Sequence, residues 1–194
     1  MTARITIAAA TAALALTALP ATAPAAAKKK KPRTPAAWVK AQKDAKLLFA
    51  VLRRPGTAAD KPAKTAKKPA PIAASRKLGT LTGKSFYLVL RGADACLAVT
   101  FSTGQSAGEF CVAVAKIKAG KALPQALESA GGAAFDFVVA VPDGATVMRT
   151  KDGTSTPQTV TDNGALIAAT PFGGSVDVTL KSGAVLKLPL GLAL

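Results

Sequence analysis

Gly104-Gln105-Ser106-Ala107-Gly108 has the glycine-x-serine-x-glycine pattern of a nucleophile elbow. That elbow needs a helix after the serine and a histidine to take its proton. The chain has no histidine at all, and a strand-like run, Phe110-Cys111-Val112-Ala113-Val114, follows the motif. A serine–lysine pair of Ser106 with Lys116 or Lys118 is the remaining route, and nothing in the sequence places these residues together. Gly79-Thr80-Leu81-Thr82-Gly83-Lys84-Ser85 resembles a phosphate-binding loop. It has three residues between its glycines where the motif needs four. It also leads into the strand-like Phe86–Leu90 instead of a helix N-terminus. The acids Asp94, Glu109, Glu128, Asp136, Asp143, Asp152, Asp162 and Asp177 are scattered, most beside glycine in turns. No pair has glycosidase spacing, and no calcium loop is present. Without histidine, Ser-His-Asp and Cys-His hydrolases and imidazole-ligated metal sites are excluded. No cofactor or metal site is expected.

The two cysteines, Cys96 and Cys111, carry the firmest local signal. If Thr103-Gly104 turns a hairpin, Cys96 lies seven residues before the turn and Cys111 seven after it. They then sit directly opposite each other and pair as one disulfide in an oxidising compartment. The competing reading is two buried thiols in a cytosolic protein.

The elements around these residues read as β structure from about Arg76 onward. Phe86–Leu90, Cys96–Phe101, Phe110–Val114, Phe135–Val141, Val147–Thr150, Val176–Leu180 and Val185–Leu190 are short apolar or alternating runs separated by Gly, Asp and Asn. Asp162-Asn163-Gly164, flanked by Thr159–Thr161 and Leu166–Ala169, is a hairpin signal. A weak repeat pairs Lys151-x-Gly153 with Lys181-x-Gly183 and reads as two similar hairpins. Lys121–Gly131 reads as a short helix. Some eight strands predict a mainly β domain, an antiparallel sandwich or barrel over residues 76–194.

The net charge of +16 belongs to one part of the chain. Residues 28–84 hold 17 basic and 2 acidic residues, net +15, while residues 85–194 hold 8 of each. The object is a neutral domain with a basic arm. Within that arm, 28–54 contains an amphipathic helix expected from Ala36 to Arg54, with Thr34-Pro35 at its start and Pro55-Gly56 as its stop. Trp38, Ala41, Ala45, Leu48 and Leu52 form its apolar stripe. That stripe packs on the domain or a partner; the alternative is an interfacial helix on an anionic membrane. Residues 55–75, rich in Ala, Lys and Pro, are expected to be a disordered or extended linker. The candidate polyanion-binding residues are Lys28, Lys29, Lys30, Lys31, Lys40, Lys43, Lys64, Lys67 and Lys68. The expected partner is an anionic membrane surface or a wall polymer; the alternative is a solvated spacer with no binding role. Lys/Ala/Pro tracts resemble linker-histone tails in composition, but no aromatic residues interleave to stack bases, which argues against nucleic acid.

Residues 1–27 have the form of a secretory signal peptide: Arg4, an uncharged Ile5–Leu19 stretch, Pro20, and Ala25-Ala26-Ala27 before Lys28. The alternative is an uncleaved membrane anchor; against it, the apolar run has only 15 residues where a span needs about 20.

Two passages carry a resemblance. Leu52-Arg53-Arg54-Pro55-Gly56-Thr57-Ala58-Ala59-Asp60 is similar to an LRRPxTAAD segment, and Val139-Ala140-Val141-Pro142-Asp143-Gly144-Ala145 to a GVVPDGV segment. Both resemble segments of uncharacterised exported or membrane-anchored proteins of high-GC Actinobacteria, which usually have two cysteines between them. Asp162-Asn163-Gly164-Ala165 departs from the Asn-Val-Phe-like strand of that group. The resemblance spans about residues 47–190 and implies export and a disulfide, with no catalytic residue to carry over. The expectation is an exported, non-enzymatic envelope protein. The alternatives are a histidine-independent hydrolase using Ser/Lys or carboxylate chemistry, or a histone-tail-like nucleic-acid binder if the chain is not exported.

Overall fold

The computed structural model describes residues 35–62, 71–128, 134–170 and 173–190. The signal-peptide segment and Lys28–Lys31, Lys64, Lys67 and Lys68 lie outside the described residues. Helix α1 spans Ala36–Leu48. Its apolar stripe does pack on the domain: Ala45 is buried, Ala41 and Leu48 are half-buried, and Phe49, Val51 and Leu52 follow them into the core. Each of these three large side chains is worth roughly 2 kcal/mol on burial, which explains why the helix docks.

The helix is shorter than expected. It ends at Leu48, Phe49 turns extended (φ −125°, ψ 108°), and Ala50–Leu52 form a separate 3-10 turn. The cause is tertiary. The N–H groups of Ala50 and Val51 donate to side chains of the β domain at 2.7 and 2.8 Å, and the Leu48 carbonyl accepts from the Asp143 N–H at 2.8 Å. These partners replace the i−4 bonds that would have continued the helix.

The expected linker is also partly structured. Ala58–Asp60 form a second 3-10 turn, and the first strand begins at Ile72, before Arg76. Strands β1 (Ile72–Leu81), β2 (Lys84–Arg91), β3 (Asp94–Phe101) and β4 (Ser106–Ala113) form an antiparallel meander. Thr82 and Gly83 turn β1 into β2 with φ of 47° and 74°, so the phosphate-loop-like segment is an ordinary two-residue hairpin. Cys96 pairs in register with Cys111 and the two form a disulfide. The two-residue turn expected at Thr103-Gly104 is corrected: Phe101 closes on Gln105 and Thr100 pairs with Ser106, and a bulge before Gly108 restores the register that sets the cysteines opposite each other.

Helix α2 (Val114–Lys118) follows β4. The helix expected over Lys121–Gly131 is corrected: Leu123–Glu128 is strand β5, paired residue by residue with β6 (Phe135–Ala140). Pro124 is tolerated because β5 is an edge strand. Then come β7 (Thr146–Lys151), β8 (Thr154–Gln158), β9 (Val160–Thr161), β10 (Gly164–Thr170), β11 (Ser175–Thr179) and β12 (Val185–Pro189). The fold is mainly β, with twelve strands in three antiparallel sheets among the described residues. The second sheet runs β5-β6-β10-β9 and the third β12-β11-β7-β8. The weak repeat is realised as the β7–β8 and β11–β12 hairpins lying side by side.

The second sheet is the middle layer. Val138 and Ala140 of β6 join Phe86, Leu88, Leu97 and Val99 of the first sheet and Phe49 and Leu52 of the N-terminal segment. Phe135, Phe137 and Val139 face the other way, onto Val147, Val176 and Val178 of the third sheet. A strand buried on both faces reads as apolar on both, and the Phe135–Val141 run follows from that. Its one exception, Asp136, is fully buried and paired with Lys84 at 2.8 Å, with the Thr82 hydroxyl also donating to it.

Candidate functional site

The strongest polar constellation sits where the N-terminal segment meets the first and second sheets. Three passages far apart in sequence supply its acids and amide, and Ser75–Lys77 of β1 add partners to the first of them. The first is Arg53-Arg54 through Asp60. Pro55 ends the preceding turn, and Thr57 and Asp60 form a reciprocal capping box around Ala58–Asp60. Asp60 is 2% exposed. Its carboxylate accepts two bonds from Arg54, both 2.8 Å, the Thr57 N–H at 2.7 Å and hydroxyl at 2.9 Å, and the Lys77 N–H of β1 at 2.8 Å. The Arg54 guanidinium holds the Asp60 carboxyl far below the usual carboxylate range. Burial opposes this, and the Lys77 and Thr57 donors reinforce it. Arg76 donates back to the Arg54 carbonyl from Nε at 3.0 Å, and the Ser75 hydroxyl donates to the Asp60 carbonyl at 2.6 Å.

The second and third passages are the Pro142-Asp143-Gly144 turn and the Asp162-Asn163 hairpin. Asp143 Oδ2 meets Arg53 Nη2 at 2.8 Å, and Oδ1 accepts from the Ala50 N–H at 2.7 Å and Asn163 Nδ2 at 2.8 Å. Burial works against ionisation of Asp143, but the Asn163 amide, the Ala50 N–H and Arg53 together keep its pKa lowered. Asn163 is 8% exposed and stands at φ 63°, the left-handed region that asparagine tolerates. Its side chain accepts from the Val51 N–H at 2.8 Å and donates to the Val141 carbonyl at 3.0 Å.

Chemically this is a clamp. Both carboxylates are held as anions with their acceptor positions occupied by donors. A general base needs a free lone pair and a pKa near the working pH; neither acid has these properties. Their oxygens are engaged by N–H groups and by the Thr57 hydroxyl.

The residues singled out from sequence fall elsewhere. Ser106 opens β4, its hydroxyl accepting from the Gly108 N–H at 3.4 Å. Lys116 and Lys118 follow the far end of that strand, so the fold separates the proposed serine–lysine pair along the whole of β4. Cys96 and Cys111 lie beside Glu109, with ligand atoms within 4.8 Å of one another. The sulfurs are joined as a disulfide and the carboxylate binds Arg91 at 2.7 Å, so these atoms are already committed. Glu109 and Asp136 are strand residues rather than turn acids. Lys40 and Lys43 are exposed on α1. Asn163 was legible only as a turn residue. The doublet Arg53-Arg54 and the terminal Asp60 lie inside a segment singled out for its resemblance, but no spacing rule links them to Asp143.

No family model matches the chain, and no curated protein or solved structure is detectably similar to it. The disulfide is compatible with an extracytoplasmic location. Among the described residues no helix is long and apolar enough to cross a membrane.

Proposed function

We propose that the chain is an exported, non-enzymatic envelope protein whose β domain fixes the base of a basic arm against an anionic membrane or wall polymer. The observation that carries this reading is the clamp. Asp143 and Asn163 break α1 at a defined residue, and Arg53, Arg54 and Asp60 hold the chain beyond it to the sheet. A freely solvated arm has no use for such fixation; an arm that presents lysines in one orientation does. The signal-peptide form of residues 1–27, the disulfide and the eleven lysines of residues 28–68 support it further.

The test has two parts. N-terminal sequencing of the protein from its native cells, with a free-thiol count, is expected to give a start at Lys28 and no free thiol. Pull-down on anionic vesicles and on isolated cell wall is expected to give binding that falls as salt rises. A retained Met1 with two titratable thiols overturns export, and salt-insensitive or absent binding overturns the arm's role.

A further inference from the structure

The partition into a basic arm and a neutral domain changes once the chain is folded. Helices α1 and α2, some seventy residues apart in sequence, pack side by side, and Lys118 Nζ reaches Asp44 Oδ1 at 3.1 Å. Lys118, one of the domain's eight basic residues, is therefore set beside α1, with Lys116 on the same short helix and Lys121 just after it. All three are exposed, as are Lys40, Lys43 and Lys46. In residues 36–48 and 114–121 the one acid opposing these six lysines is Asp44, itself held by Lys118.

The outward stripe of α1 is also apolar at two points. Positions 39, 40, 43, 46 and 47 recur at three- and four-residue spacing, so they share one face, opposite the docked stripe of Trp38, Ala41, Ala45 and Leu48. On that outward face Val39 is 44% and Leu47 73% exposed, the latter the highest of the exposed large apolar side chains among the described residues. Lysines flank both.

We infer that the α1–α2 face is a lipid-contact surface: the six lysines engage anionic head groups while Leu47 and Val39 enter the head-group boundary. This rests on the proposed envelope role and names the surface that performs it. Charge selects an anionic partner. The two apolar side chains select a bilayer over a wall polymer, because a soluble polyanion offers nothing for Leu47 to bury against.

The test uses the full chain on phosphatidylcholine vesicles and on equimolar phosphatidylcholine/phosphatidylglycerol vesicles, reading the increment on the anionic ones. That increment subtracts any contribution of the apolar N-terminal segment. Replacing Lys40, Lys43, Lys116 and Lys118 together by Gln is expected to cut it by about fivefold per lysine, and Arg at the same positions to retain it. In Leu47→Trp, emission is expected to shift to the blue on the anionic vesicles but not with soluble polyphosphate. If the Gln variant binds like the parent while Gln at Lys28–Lys31 abolishes binding, this surface is wrong and the arm reading stands. If the parent shows no salt-sensitive increment, both fall. If polyphosphate competes fully and the Leu47→Trp emission does not move on vesicles, the lipid assignment is overturned.

Discussion

Arg53 and Asp143, 90 residues apart in the chain, meet at 2.8 Å, and through them two segments picked out separately in the sequence become one structural unit. Asn163 completes the unit by bonding both to Asp143 and to the backbone of the N-terminal segment. The ion pair itself is half solvated, with the Arg53 side chain 50% exposed, so its own contribution is small. The fixation comes from the buried amide and backbone partners.

Asn163→Gly separates the two roles of this residue. Glycine suits φ 63° better than any other residue, so a role confined to the turn predicts no loss. The clamp predicts a loss of about 2–3 kcal/mol, because the buried Val51 N–H and Val141 carbonyl lose their side-chain partner. Arg53→Ala is expected to cost under about 1 kcal/mol. Urea unfolding of the two variants measures both, and equal effects refute the assignment.

Asp60 sets an acid limit on stability. Its pKa is lowered in the folded state, so its contribution is complete above the unfolded-state value of about 4 and is lost as pH falls toward the folded value. The urea midpoint is expected to be flat from neutrality to about pH 5 and to drop below about pH 4. Asp60→Asn lowers the midpoint at pH 7 and flattens the acid limb. A variant with the parent's acid slope assigns that slope to other carboxylates.

Gly92 and Trp38 provide an optical test of docking. Gly92 has φ 57°, and an added Cβ would lie 3.1 Å from Cε2 of the Trp38 ring. Gly92→Ala therefore strains the turn and pushes the helix outward, at a cost of about 1–3 kcal/mol. Trp38 is the sole tryptophan, so a red shift of native-state emission reports the displacement. Unchanged emission and stability would mean that the ring does not rest on this turn.

What the sequence made legible was local. The Cys96–Cys111 pairing is visible in the spacing, although a three-residue turn and a bulge before Gly108 together produce the register expected of a two-residue turn. The Asp162-Asn163 hairpin follows from residue types that accept positive φ. The apolar stripe of α1 was visible in its spacing. What failed depended on distant partners. Lys121–Gly131 is rich in Ala, Leu, Gln and Glu and reads as helix, yet pairing with β6 draws Leu123–Glu128 into a strand, a tertiary override of propensity. Pro55-Gly56, a local stop signal, predicts an end of α1 at Arg54; the actual stop is set by Asp143 and Asn163. The clamp itself could not be read, since turn chemistry accounts for each of its acids when the chain is viewed one segment at a time.

The buried pair of Lys84 and Asp136 closes the contact between the first and second sheets, with Lys84 8% and Asp136 0% exposed. Desolvating two charges offsets much of their attraction, so such a pair is weakly stabilising as a whole but costly to halve. Asp136→Leu alone removes the counter-charge facing Lys84 and is expected to cost about 3–5 kcal/mol. Adding Lys84→Met removes the ammonium that has lost this carboxylate and is expected to recover most of that loss. Thermal unfolding of the two single variants and the double variant forms a complete cycle. A double variant that equals the sum of the singles would show that the two groups stabilise the sheet contact independently, and the pairing would then have no energetic role.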